Sequence, residues 1–88
     1  MKTRPKVALI TGAAHGIGRA TARQLLDDGW LLGAVDISAA NLERAFGKQQ
    51  RRVVLIEGDI GIETTAKHAV TATIERFGQL DGVVINPC

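Results

Sequence analysis

The chain has few of the residues on which several functions depend. Its 88 residues contain no tyrosine, one tryptophan, two phenylalanines and a single cysteine, Cys88. Proteins that bind single-stranded nucleic acid stack bases on aromatic rings along a basic groove. This chain is 3% aromatic and carries a net charge of only +2. We therefore expect no nucleic-acid partner.

Disulfides, metal ligands and long hydrophobic runs are also missing. One cysteine cannot form an intramolecular disulfide, which is typical of a reducing compartment. His15 and His68 have no histidine or cysteine at ligand spacing, so we expect no metal. The apolar run Val7–Ile10 is too short for a signal peptide or a membrane span. These features predict a cytoplasmic protein with no membrane partner.

What the chain does contain is an apolar run that leads into three closely spaced glycines. Val7–Thr11 is followed by Gly12, Gly16 and Gly18 and then by a segment with helical character. The first N–H groups of a helix have no intrahelical partner, and the helix dipole is positive at that end. Glycine lets the backbone approach a phosphate closely. The turn therefore predicts a site for a dinucleotide's pyrophosphate.

Strands and helices alternate over the rest of the chain. Unbroken apolar runs are typical of strands buried on both faces of a parallel sheet. The strands are predicted at Val7–Thr11, Trp30–Asp36, Val53–Glu57 and Leu80–Ile85, with Pro87 breaking the last. The helices are predicted from His15 or Gly16 to about Asp28 (with Gly29 as its stop), from Ala39 to about Gly47 (capped by Ser38), and over Glu63–Phe77 (with Gly78 as its stop).

This alternation predicts an α/β fold. Right-handed helical crossovers between parallel strands give a doubly wound sheet. We expect a partial Rossmann fold of four parallel strands and three crossover helices in strand order 3-2-1-4, so that residues 1–88 form the amino-terminal half of a dinucleotide-binding domain, with no second domain. The inward stripe predicted for the first helix is Ile17, Ala20, Thr21 and Leu25. For the third helix it is Ala66, Ala69, Val70, Thr73, Ile74 and Phe77.

Four motifs together resemble the amino-terminal part of the short-chain dehydrogenase/reductase family. They are the Thr11-Gly12-x-x-x-Gly16-Ile17-Gly18 loop, Asp36 at the end of the second strand, Asp59-Ile60 after the third, and Gly78-x-Leu80-Asp81 leading to Ile85-Asn86. The resemblance covers residues 6–86. It implies an oxidoreductase that moves a hydride between an alcohol or carbonyl and nicotinamide, with the cofactor-binding residues Gly12, Ala14, His15, Gly16, Ile17, Gly18, Asp36, Ile37, Asp59, Ile60 and Asn86.

Asp36 favours NAD as the cofactor. By resemblance its carboxylate bonds the adenosine ribose hydroxyls, where a 2′-phosphate would be repelled, and Ile37 supplies no cation to hold that phosphate. The alternatives stay open: Asp36 as a solvated strand-end carboxylate, His15 as a loop residue without a role, and Asp59 as a structural acceptor rather than an adenine contact. Asp81 is interpreted as structural.

Departures from the family pattern support a second hypothesis. The family's closing motif ends here in Pro87-Cys88. The resemblance places its catalytic Ser and Tyr-x-x-x-Lys well beyond position 88, and the chain has no tyrosine. The alternative is a non-catalytic remnant with at most weak dinucleotide binding. Either way we expect the chain alone to be inactive and to self-associate through an exposed fourth strand. Methyltransferases share this sheet, but their first loop lacks this threonine and glycine spacing.

Overall fold

A computed structural model describes residues 4–86, so the expectations for Pro87 and Cys88 lie outside the described residues. The strands are β1 (Val7–Thr11), β2 (Leu31–Asp36), β3 (Val53–Glu57) and β4 (Gly82–Val84). The helices are α1 (Gly16–Asp27), α2 (Ala39–Phe46) and α3 (Glu63–Phe77), and a short 3-10 turn, Gly47–Gln49, follows α2. No helix in this part of the chain is both long and apolar enough to cross a membrane.

The predicted sheet is confirmed. Its four strands are parallel and lie in the order β3-β2-β1-β4. Because all four run in the same direction, their carboxyl ends meet at one edge of the sheet. In open α/β sheets, ligands bind at that edge, where the strand order reverses. Here the reversal lies between β1 and β4, the two strands that the glycine turn and Asn86 follow.

The core has two layers because side chains alternate along each strand. Ala8 and Ile10 of β1 face α1 and α2, and pack with Leu42 and Phe46 of α2. Leu9, between them, faces α3 and packs with Ala69. The helices therefore cover both faces of the sheet, as a doubly wound fold requires. Ser38 accepts the N–H of Asn41 at 3.1 Å and caps α2 as predicted.

The predicted inward face of α1 is only partly confirmed: Thr21 and Leu25 are half-buried and Leu25 packs against the core, but Ala20 is exposed. The buried residues are Gly18, Ala22 and Leu26, whereas Ile17 is 78% exposed. Gly18 faces inward because the first turn of α1 lies directly against the glycine turn. On α3, Ala69 and Thr73 are buried as expected, but Val70 and Ile74 are exposed.

The fourth strand is shorter than its apolar run suggested. It spans Gly82–Val84 instead of Leu80–Ile85, and β1 is its only partner among the described strands. Because β4 pairs on one side only, the strand extends no further than its hydrogen bonds with β1, and that ladder covers three residue pairs. Val83, inside this ladder, is 51% exposed, and Ile85, beyond it, is 67% exposed.

Asp81 ties the start of β4 to the start of β1. Its Oδ2 accepts the backbone N–H of Val7 at 2.8 Å and the Nε2 of Gln79 at 2.7 Å. These two hydrogen bonds, the first being the stronger cause, lower the pKa of the Asp81 carboxyl below its ordinary value, and the nearby charges of Lys6 and Arg4 act in the same direction. Asp81 thus has a structural partner, in line with the interpretation from the sequence.

Candidate functional site

A cleft of about 250 Å³ opens at the carboxyl ends of the strands. It brings together residues that are far apart in sequence, from the glycine turn, the end of β2, the loop after β3 and the segment after β4. Of the predicted residues, those that line it are Gly12, His15, Asp36, Ile37, Asp59, Ile60 and Asn86. Ala14, Gly16, Ile17 and Gly18 do not line it and surround the start of α1 instead.

The glycine turn has a backbone that other residues would strain. Gly12 and Gly16 have φ values of 60° and 55°, in the left-handed region that favours glycine. Gly18 is needed for a different reason: a Cβ on it would lie 2.2 Å from the carbonyl oxygen of Gly12. The first turn of α1 can therefore lie directly on the loop only because this position carries no side chain.

The N-terminus of α1 fits an anion. The residue preceding the helix, His15, makes no side-chain capping hydrogen bond, and the first turn contains no acidic residue. Ile17 is exposed, so its side chain does not cover this end of the helix. The N–H groups and the dipole of α1 are therefore presented beside the cleft, in the arrangement that binds a pyrophosphate.

Asp36 is the buried charge of the site. Its side chain is only 2% exposed, although it lines the cleft. Oδ2 accepts the backbone N–H of Ala14 at 3.1 Å, and Oδ1 accepts that of Ser38 at 3.1 Å. Nδ1 of His15, whose side chain is 51% exposed, lies 3.1 Å from Oδ2. The carboxylate thus joins the glycine turn to the end of β2, so it is not the solvated strand-end group of the alternative interpretation.

Thr11 fixes the opposite wall of the cleft. Its buried hydroxyl accepts the N–H of Asn86 at 2.8 Å and donates to the carbonyl of the same residue at 3.3 Å. Pairing with both backbone groups of Asn86 holds the segment after β4 against the end of β1. This threonine belongs to the recognised loop motif, but the motif alone did not indicate which residue its hydroxyl meets.

Asp59 begins the turn that leads into α3. Its Oδ1 accepts the N–H of Gly61 at 2.8 Å, and its carbonyl accepts the N–H of Ile62 at 3.0 Å. The side chain is exposed and also lines the cleft. The structural hydrogen bond of the alternative interpretation is therefore present, in a residue that also lines the cleft.

Three lining residues were missed by the sequence reasoning: Val35, Gly58 and Ile85. Each is adjacent in sequence to a predicted site residue, so position at a strand end was the signal that could have found them. Among residues 4–86, no group of three or more histidine, cysteine, aspartate or glutamate side chains is placed to hold a metal ion.

Comparison with known proteins decides the family. The family model described as short chain dehydrogenase matches residues 6–87. The chain belongs to the short-chain dehydrogenase family. Levodione reductase of Leifsonia aquatica is 38% identical over 86 residues, and ipsdienol dehydrogenase of Ips pini is 39% identical over 85. The alignments cover 92% and 96% of this chain but 32% of each relative, so the chain spans about a third of the length of these curated relatives.

Solved structures of similar proteins agree with the fold. A 3-ketoacyl-(acyl-carrier-protein) reductase from Brucella melitensis, complexed with NADH, superimposes with a TM-score of 0.84 at 34% identity, over 91% of this chain and 33% of that one. The C-domain of a bacterial malonyl-CoA reductase with NADP gives 0.86 at 32% identity, over 94% of this chain and 14% of that one. Similar proteins thus include complexes with either nucleotide.

Proposed function

We propose that this chain forms the adenosine and pyrophosphate half of a dinucleotide site in a short-chain dehydrogenase, and that it prefers NAD to NADP. The observation that carries the proposal is the cleft at the ends of the strands, which is lined by part of the glycine turn and by the buried carboxylate of Asp36 and has the N-terminus of α1 beside it. A glycine turn with a helix N-terminus is suited to a pyrophosphate, and a carboxylate at the end of the second strand is suited to a ribose.

The pyrophosphate would lie at the N-terminus of α1. The turn from Gly12 to Gly18 would present its backbone to the ligand at Gly12, Gly16 and Gly18, where there is no side chain. No acidic residue in the first turn opposes the charge of the phosphates. The chain's own part in binding is therefore to supply N–H donors and the positive end of the helix dipole.

The adenosine ribose would meet Asp36, which makes the site unfavourable to a 2′-phosphate. Two unit charges of the same sign about 4 Å apart repel by about 1–4 kcal/mol at effective dielectric constants between those of water and a protein surface. The next residue, Ile37, is exposed and carries no charge that would offset this repulsion. The adenine ring would lie against Asp59 and Ile60, which line the same cleft.

The hydride transfer itself belongs to the whole family protein. The relatives are named as reductases and dehydrogenases, and nicotinamide supplies the hydride chemistry when bound. The family's catalytic tyrosine has no counterpart in these 88 residues, which contain no tyrosine. We infer that this chain alone binds the cofactor's adenosine end and does not reduce or oxidise a substrate.

Calorimetric titration of the chain with NAD and with NADP at about pH 8 tests the proposal. We expect the wild type to bind NAD more tightly. The I37R variant places a cation beside Asp36 at an exposed position. It should lower the dissociation constant for NADP, and so reduce the preference for NAD over NADP about tenfold. The matched variant I37Q controls for the loss of isoleucine. Tighter binding of NADP by the wild type, or binding of neither nucleotide by a folded chain, would contradict the proposal.

A further inference from the structure

The order of the strands sets the direction in which a bound dinucleotide would run along the cleft. Asp36 ends β2, Asp59 follows β3, the glycine turn follows β1, and Asn86 follows β4. The sheet has the order β3-β2-β1-β4. A ligand with its adenosine at β2 and β3 and its pyrophosphate at β1 therefore extends next over β4. Whatever group is attached beyond the pyrophosphate meets the end of that strand.

The end of β4 offers this group little to bind. Ile85 is 67% exposed, and Asn86 uses both its backbone N–H and its carbonyl to pair with the hydroxyl of Thr11. Neither Ile85 nor Asn86 carries a charge. Among residues 4–86, β4 has no neighbouring strand on its outer side. An exposed isoleucine and one amide side chain do not distinguish a nicotinamide from another ring, so a group that passes β4 is left largely in solvent.

The size of the cleft leads to the same result. Its volume is about 250 Å³, whereas a pocket that encloses a drug-sized ligand usually measures about 300–1,000 Å³. A dinucleotide is large among such ligands, so only part of it fits inside. The part with matching groups is ADP, whose ribose would meet the carboxylate of Asp36 and whose pyrophosphate would meet the N-terminus of α1.

We propose that this chain recognises only the ADP portion of its ligand, and that its ligands include ADP-bearing molecules without nicotinamide, such as FAD. FAD joins the same adenosine and pyrophosphate to a flavin through a flexible ribityl chain, so its flavin can pass β4 as freely as a nicotinamide can. The group at the far end of the ligand then contributes little to affinity. The proposal rests on the function proposed above, because it places ADP in the same site.

Calorimetric titration of the chain with NAD, FAD and riboflavin, under one set of conditions, tests this inference. Riboflavin carries the flavin without the ADP portion, so it detects any binding of the ring itself. FAD should bind with a dissociation constant within about threefold of that for NAD, and riboflavin should not bind. Circular dichroism verifies that each protein used is folded.

The variant I17E tests whether both ligands use the same site. Ile17 is 78% exposed in the first turn of α1, so a new side chain there displaces no core contact. A carboxylate at this end of a helix is favourable to the helix dipole, but it repels a pyrophosphate bound there. I17Q is the matched uncharged control. Relative to I17Q, I17E should raise the dissociation constants of NAD and FAD by the same factor, about tenfold.

Three results would overturn the inference and leave the proposed function standing. They are NAD binding with FAD more than about tenfold weaker, FAD binding that I17E does not weaken, and riboflavin binding as tight as that of FAD. The first would mean that the chain recognises the nicotinamide end, and the other two that the flavin binds elsewhere. Failure of the folded wild type to bind either NAD or FAD would overturn the proposed function together with this inference.

Discussion

The close approach of α1 to the glycine turn leads to a sharp prediction for Gly18. In the variant G18A, the new Cβ would lie 2.2 Å from the carbonyl oxygen of Gly12, which is backbone and cannot rotate away. The side-chain amide of Asn86 would also be 2.8 Å away, although that group can move. Either α1 or the turn must shift, and overpacking of this kind costs about 1–3 kcal/mol.

That cost is large for so small a chain. Domains are stable by about 0.05–0.15 kcal/mol per residue, and each kcal/mol changes the melting temperature of a domain of this size by about 4–8 °C. We therefore expect G18A to melt about 5–20 °C below the wild type. The measurement is thermal unfolding followed by circular dichroism, with all variants at the same protein concentration.

Two other glycines serve as matched controls. In G82A the new Cβ meets nothing within 4 Å at an ordinary φ, so we expect little change in the melting temperature. In G16A the space is also free, but φ is +55°, so the loss should fall between those of the other two variants. If G18A were as stable as the wild type and bound NAD equally well, the assigned packing of α1 on the turn would be wrong.

Two further predictions concern the carboxylate of Asp81 and the edge of the sheet. Because folding lowers the pKa of Asp81, its carboxylate contributes to the free energy of unfolding above its ordinary pKa of 3.8, and this contribution is lost as the pH falls further. In urea unfolding, the wild type should therefore be more stable than D81N at pH 7, by a margin that shrinks below about pH 4. A margin that stays constant with pH would refute this prediction. We also propose that the chain self-associates through β4, where Val83 is half exposed. Sedimentation velocity should show weaker self-association for V83K than for V70K, which is a matched change of an exposed valine on α3. A wild type that stays monomeric would refute association through β4.

Most of the fold could be predicted because local signals and tertiary structure agree. The bounds of β1, β3 and α3 were predicted as observed, since apolar runs end at glycine or polar residues and the helix stops at Gly78, whose φ is +84°. The inward face of α1 could not be predicted in this way. It depends on the close approach of Gly18 to the carbonyl oxygen of Gly12, a contact set by the path of the turn that outweighs the apolar pattern containing Ile17.

The sequence predicted which residues lie in the site better than it predicted the contacts between them. Parallel strands bring their carboxyl ends together, so residues that follow strands were expected to meet, and Asp36, Asp59 and Asn86 do line one cleft. The pairing of His15 with Asp36, and of Thr11 with Asn86, depends on the path of the loops in space. No spacing in the sequence encodes these distances.

The central claim is that these residues hold the adenosine end of a dinucleotide and not its nicotinamide end. Titration of the folded chain with ADP-ribose and, separately, with nicotinamide riboside, which carries no phosphate, tests it most directly, with amide resonances of the chain followed by two-dimensional NMR. We predict that ADP-ribose binds about as tightly as NAD and shifts the signals of Gly12, Ala14 and Ser38, whereas nicotinamide riboside leaves them in place. A folded chain that fails to bind ADP-ribose, or that binds nicotinamide riboside equally well, would contradict the claim.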